Sequence, residues 1–154
     1  MYNKDMPTIR RFEDLHAWQT ARELTNSVYE FTSRGEFNRD FALRDQIRRS
    51  TSSVMLNIAE GLDSGSDAEF VRFLGYARRS ASETQSALYT ALDQKYITKE
   101  QFDIAYDKSQ IVKRQINALI AYLTKHEAPS IKEDTSIYEI RIPDQSDESD
   151  HSDR

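Results

Sequence analysis

Cysteine is absent from this sequence. Glycine, proline and histidine are scarce, at four, three and three of 154 residues. Without cysteine there is no disulfide framework, no thiolate metal site and no cysteine nucleophile. So few glycines and prolines disfavour an all-β fold built on tight turns. No apolar run approaches the ~18 residues of a membrane span. The opening MYNKDMPTIRRF lacks the apolar core of a signal peptide. The expectation is one cytoplasmic domain, with a tail, that has no dealings with a membrane.

Lys and Arg number 21 against 26 Asp and Glu, a formal charge of −5. That charge is unevenly placed. Residues 1–126 carry 18 basic and 17 acidic side chains, whereas residues 127–154 carry 3 and 9. The body is therefore +1 and the tail −6, so the overall sum does not exclude a polyanion-binding face on the body. Three parts follow: an N-terminal arm (1–11), a helical body (12–126) and an acidic tail (127–154) whose composition predicts disorder over most of its length.

Apolar residues in the body repeat at helical spacing. Ala17, Ala21, Leu24 and Val28 share a stripe within a helix over 13–33, which Gly35 closes. Leu43, Ile47, Thr51, Val54 and Ile58 do so over 38–60, and Gly61 and Gly65 are read as bracketing the exit turn. Ser66 and Glu69 are spaced as a capping box ahead of a third helix, with Phe70, Leu74, Ala77, Ala81, Leu88 and Leu92 on one face to about Asp93. Thr98 and Gln101 open a fourth in the same way, with Ala105, Val112, Ile116, Leu119 and Leu123 inward as far as Lys125. Four long amphipathic helices with short joins predict an all-α, antiparallel up-down-up-down bundle. A second apolar strip, which includes Trp18, Tyr29, Phe41, Met55 and Leu56, falls beside the main stripes. Either the stripes are wide and share one core, or the strip is a subunit interface.

Catalytic signatures are few. Glu13-x-x-His16 is half of a di-iron helical motif, but neither His126 nor His151 completes a second half. Asp63-x-Gly65-x-Asp67 opens like a calcium loop, yet Ala68 and Leu74 stand where glycine and glutamate are needed. There is no phosphate loop, nucleophile elbow or zinc spacing. The expectation is a protein that is not an enzyme and holds no metal or cofactor.

Arginine is more informative. Arg72, Tyr76 and Arg79 lie within ~60° of one another opposite the third helix's core stripe, with Arg78 flanking that stripe. Arg44, Arg48 and Arg49 cluster on the second helix. Guanidinium groups interleaved with an aromatic ring suit phosphate contact and base stacking. The alternative is a solvated face with local ion pairs such as Asp45–Arg49 and Arg79–Glu83. Asn57, Glu60 and Gly61 form a polar motif at the end of the second helix. There Asn57 is placed to bond a neighbouring helix or subunit, and Glu60 opposes the helix dipole and calls for a compensating arginine. In the tail, the apolar positions of Ile137-Tyr138-Glu-Ile140-Arg-Ile142 partly alternate, as in a strand that adds to a partner's sheet edge; the plain alternative is a mildly apolar stretch of a loose tail.

Phe12-Glu-Asp-Leu15, Trp18-Gln-x-Ala21, Gln46-Ile-Arg48-Arg49, Ser53-Val54, Asn57-Ile-Ala-Glu60-Gly61 and Phe70-x-x-Phe73-Leu74, with Ala77, Ser80 and Glu83, occur in that order. Over about residues 10–125 this resembles the four-helix-bundle proteins encoded in intervening sequences of bacterial 23S ribosomal RNA genes. The resemblance implies a left-handed antiparallel bundle assembled as a ring-like homopentamer. A related branch, the accessory proteins of diversity-generating retroelements, is basic, binds nucleic acid and associates with a reverse transcriptase. The sequence departs from the family pattern in having Met55-Leu56 in place of Pro-Ala or Pro-Ser, Arg79 in place of glycine, and an added acidic tail. The reading that follows is a non-enzymatic, homo-oligomeric scaffold, pentameric by resemblance, that binds RNA or DNA or a nucleic-acid enzyme through its arginines. The alternative is an adaptor, such as a reverse-transcriptase accessory subunit, that recruits partners through its tail.

Overall fold

The computed structural model describes residues 9–125. It contains four helices: α1 (His16–Thr32), α2 (Phe41–Asp63), α3 (Asp67–Asp93) and α4 (Lys99–Lys125). There is no strand among the described residues. Ser50 meets Thr84 and Ser53 meets Ser80, so numbering rises on α2 as it falls on α3. Arg78 meets Asn117 and Gln85 meets Lys113, so α3 and α4 are antiparallel as well.

Local chemistry sets the helix ends. Phe12–Asp14 form a 3-10 turn, so α1 begins three residues later than its periodicity suggests. Asp40 caps α2 by accepting from the Leu43 amide at 3.1 Å. At α4 the capping box closes reciprocally: Gln101 accepts from the Thr98 amide at 2.9 Å and Thr98 accepts from the Gln101 amide at 3.1 Å. At α3 only half of the box forms. Ser66 accepts from the Glu69 amide, while the Glu69 carboxylate turns to Arg72 at 2.6 Å. A guanidinium outcompetes a single amide for that carboxylate.

The core has two apolar clusters. One joins Leu15, Ala17 and Ala21 to Val54, Ile58, Phe70, Leu74, Val112 and Ile116. The other joins Leu24, Val28 and Phe31 to Phe37, Leu43, Ile47, Leu88 and Phe102. Between them lies a hydroxyl layer that periodicity only hinted at through Thr51. Ser50, Thr51, Thr84 and Ser109 are all buried. Ser50 and Thr84 bond each other at 2.7 Å, and every one of the four hydroxyls has a partner. A satisfied buried hydroxyl costs little, whereas an orphaned one costs about 1–3 kcal/mol. This layer therefore fixes how α2 and α3 meet.

The joins at one end are tied together. Phe37 is buried against Phe31 and Tyr96, and the Tyr96 hydroxyl donates to Asp40 at 3.0 Å. Asp40 thus caps α2 with one carboxylate oxygen and holds the α3–α4 join with the other. That bond keeps Tyr96 protonated above its ordinary range, because ionisation would set a phenolate against the carboxylate.

Candidate functional site

α2 is the helix on which most of the sequence's candidates fall, and its two flanks differ. On the α1 side, Arg48 Nε donates to the Thr32 hydroxyl at 2.8 Å and Nη2 to the Ser33 hydroxyl at 3.2 Å, while the guanidinium lies 4.5 Å from the Tyr29 ring centroid. It sits at the C-terminal end of α1, where a cation opposes the helix dipole favourably. Arg44 donates to the Asn38 carbonyl at 2.9 Å and pairs with Asp45 at 3.0 Å, lying over Phe41. Both arginines therefore hold the α1–α2 join. Of the three α2 arginines that the sequence suggested for a ligand, these two are thus engaged within the bundle.

Arg49 differs. It is exposed and has neither a hydrogen bond nor an ion pair among the described residues. The Asp45–Arg49 pair of the alternative, solvated-face reading does not form among the described residues, because Asp45 is held by Arg44. Arg49 lines a hollow between α2 and α3 together with Gln46, Ser53 and Glu83. A second hollow runs across the outer face of α2, from Tyr29 past Arg49 to Asn57 and Glu60.

On α3 the anticipated arrangement is present. Arg72 and Arg79 both lie over Tyr76, at 5.9 and 5.0 Å from its centroid. Arg72 is also paired with Glu69, which raises the guanidinium pKa further by hydrogen bonding and charge. Arg79 makes no ion pair among the described residues, although Glu83 stands one turn away. Arg78 does not join this group: its Nη1 donates to Asn117 Oδ1 on α4 at 2.7 Å. Lys113, which is not among the candidates the sequence suggested, donates to Gln85 on the same side of α3. Its signal was there in the run 108–125, which has four cations and no carboxylate.

The polar motif works differently from expectation. Asn57 Nδ2 donates to the Ser53 carbonyl at 2.8 Å and to the Ser53 hydroxyl at 3.0 Å, within its own helix. It reaches α3 only through Ser53, whose hydroxyl accepts from Ser80 at 2.9 Å. Glu60 is exposed and no arginine compensates it among the described residues. Gly61 is not in a turn. It is buried inside α2, and a Cβ there would stand 2.7 Å from the Phe70 ring and 2.9 Å from Phe73 Cβ. Its role is the close approach of α2 and α3. Ser80 serves the same approach, so Arg79, beside it, projects outward without disturbing the seam.

The second apolar strip divides. Trp18 and Met55 are half-buried and pack against the core, Trp18 against Phe12 with ring centroids 5.1 Å apart. Wide stripes account for these two. Phe41 and Leu56 remain 64% and 61% exposed, and Tyr29 is exposed beneath Arg48. Ile137, Tyr138, Ile140 and Ile142 lie outside the described residues. Glu13 belongs to the 3-10 turn and pairs with Arg11, so it shares no helix face with His16. No group of three or more His, Asp or Glu side chains is placed to hold a metal among the described residues. Among the same residues no helix is long and apolar enough to cross a membrane.

Comparison with known proteins agrees with the geometry. No curated protein matches the sequence. A crystal structure of a protein of unknown function from the S23 ribosomal protein family of Bacteroides thetaiotaomicron is similar, with a TM-score of 0.62 and 26% identity. The match covers 68% of this chain and 97% of that one. The family model of the 23S rRNA-intervening sequence protein matches residues 13–118, from the turn before α1 to deep within α4. The chain therefore belongs to the 23S rRNA-intervening sequence protein family.

Proposed function

We propose that this protein is a non-enzymatic, self-associating scaffold that binds RNA through the outer face of α2 and α3. One observation carries the reading: Tyr76 lies between Arg72 and Arg79, and neither Arg79 nor nearby Arg49 is paired with Glu83, the carboxylate within their reach. Unpaired guanidinium groups beside an aromatic ring offer bidentate donors for phosphate and a surface for a base. Phe41 and Leu56, exposed along the same helix, supply the apolar surface for self-association. Five copies is the stoichiometry that the sequence resemblance implies.

The test is titration of a labelled single-stranded RNA at low and moderate salt. Arg49→Ala/Arg79→Ala should weaken binding and flatten its salt dependence by about 0.7 for each phosphate no longer neutralised. Absence of binding by the unaltered chain at low ionic strength would falsify the reading. Light scattering tests the self-association: Phe41→Ser/Leu56→Ser should lower the mass in solution.

An adaptor role is the second reading, favoured by the sequence of the tail. Removing residues 127–154 should abolish partner capture and leave RNA binding unchanged. A rise in RNA affinity instead would mark the acidic tail as a competitor for the arginines.

A further inference from the structure

The α3–α4 seam carries more positive charge than the chain's near-neutral body suggests. Residues 70–82 hold three arginines, residues 108–125 hold four cations, and neither run contains a carboxylate. Antiparallel packing lays these runs against each other, as Arg78–Asn117 and Gln85–Lys113 show. Three of these cations lie outside the seam: Arg72 and Arg79 lie over Tyr76 on the outer face, and Lys108 pairs with Glu23 on α1. Arg78, Lys113 and Arg114 have no carboxylate partner among the described residues.

The hydrogen bonds within the seam point the same way. Arg78 donates to Asn117 Oδ1 at 2.7 Å and Lys113 donates to Gln85 Oε1 at 3.1 Å. Both acceptors are neutral carboxamide oxygens, each held by a cation. Gln85 is only 7% exposed, and its Nε2 has no acceptor among the described residues. A guanidinium has five N–H donors and an ammonium three, so most donors here are unmatched. Arg114, next to Lys113, is exposed and has no partner among the described residues. A seam rich in donors and poor in acceptors, whose cations pair with no carboxylate among the described residues, complements a ligand with repeated anionic oxygens. A phosphodiester backbone has that character.

We propose that the α3–α4 seam seats the phosphate backbone of bound RNA, with Lys113 and Arg114 as its contacts and Arg78 as a positioning residue that holds α4 in register. The inference rests on the RNA reading but uses none of the residues that carry it. Arg78 reaches across to Asn117 and ties α4 to α3, whereas Lys113 keeps two ammonium donors beyond its bond to Gln85.

The experiment measures binding of a single-stranded RNA oligonucleotide to the full chain over a range of salt. Lys113→Gln/Arg114→Gln should weaken binding about tenfold and flatten the log–log salt slope by about 1.4, two phosphates at about 0.7 each. Arg114→Gln alone, which removes no bond of the fold, should give about half that change in slope. The control is Arg34→Gln/Arg39→Gln, an equal loss of charge in the α1–α2 join. If the seam variants weaken binding no more than this control while the unaltered chain binds, the seam proposal fails and the α2–α3 reading stands. If the seam variants lose binding and Arg49→Ala/Arg79→Ala does not, the seam is the RNA surface and the α2–α3 reading falls.

Discussion

Arg48 and Arg49 are neighbours in the chain and do opposite things. Arg48 faces the end of α1, where hydroxyls of Thr32 and Ser33 and the ring of Tyr29 surround its guanidinium. Arg49 faces the α3 side and touches no acceptor among the described residues. One step of ~100° around the helix separates a residue that holds the bundle together from one left for a ligand. The difference teaches that an arginine cluster is not one feature. What decides each member is whether the adjacent helix offers acceptors at its level.

The strongest way to break this contrast is to part α2 from α3. Gly61→Ala places a methyl group where Phe70 and Phe73 already stand. Glycine-to-alanine changes inside helices ordinarily gain about 1 kcal/mol. Here overpacking should reverse the sign and lower stability by about 1–3 kcal/mol, read by denaturant unfolding. Next in size, Arg48→Ala should cost about 1–2 kcal/mol by removing the bonds to Thr32 and Ser33. By contrast, Arg49→Ala should leave stability within about 0.5 kcal/mol. Equal losses at positions 48 and 49 would erase the distinction between them.

The smallest effect concerns the tied joins. Tyr96 holds its proton more tightly when folded than when unfolded, because of Asp40. A group whose pKa is raised by folding contributes stability that is complete below its unfolded value, near 10, and lost as pH rises through the folded one. Thermal stability should therefore be level near neutrality and fall on the alkaline side of about pH 10. Tyr96→Phe should remove the part of that fall due to the Asp40 bond while leaving the neutral baseline slightly lower.

Much of the fold was legible in the sequence. Long stripes such as Leu43, Ile47, Val54 and Ile58 report burial through their period, and the Thr98–Gln101 box is a local signal. What the period cannot report is how one helix lies on another. Gly61 looked like a turn residue because the same absence of Cβ serves both a turn and a close approach. Trp18 and Met55 are only partly covered by their own bundle, and an angle does not measure how far a neighbouring helix reaches over them. At the candidate site the Arg72–Tyr76–Arg79 group was visible, since it lies within one helix. The separation of Arg48 from Arg49, and the pairing of Lys113 with Gln85, depend on tertiary neighbours and were not.

The hydroxyl layer has a mechanical meaning. Sliding α2 along α3 by one turn would carry Ser50 and Ser53 about 5.4 Å past Thr84 and Ser80 and break both hydroxyl bonds between the helices. Such a layer acts as a latch and not a rail. If this bundle ever changes shape when something binds, the motion open to it is a rocking of the helices about the close contact at Gly61, with the register between them unchanged.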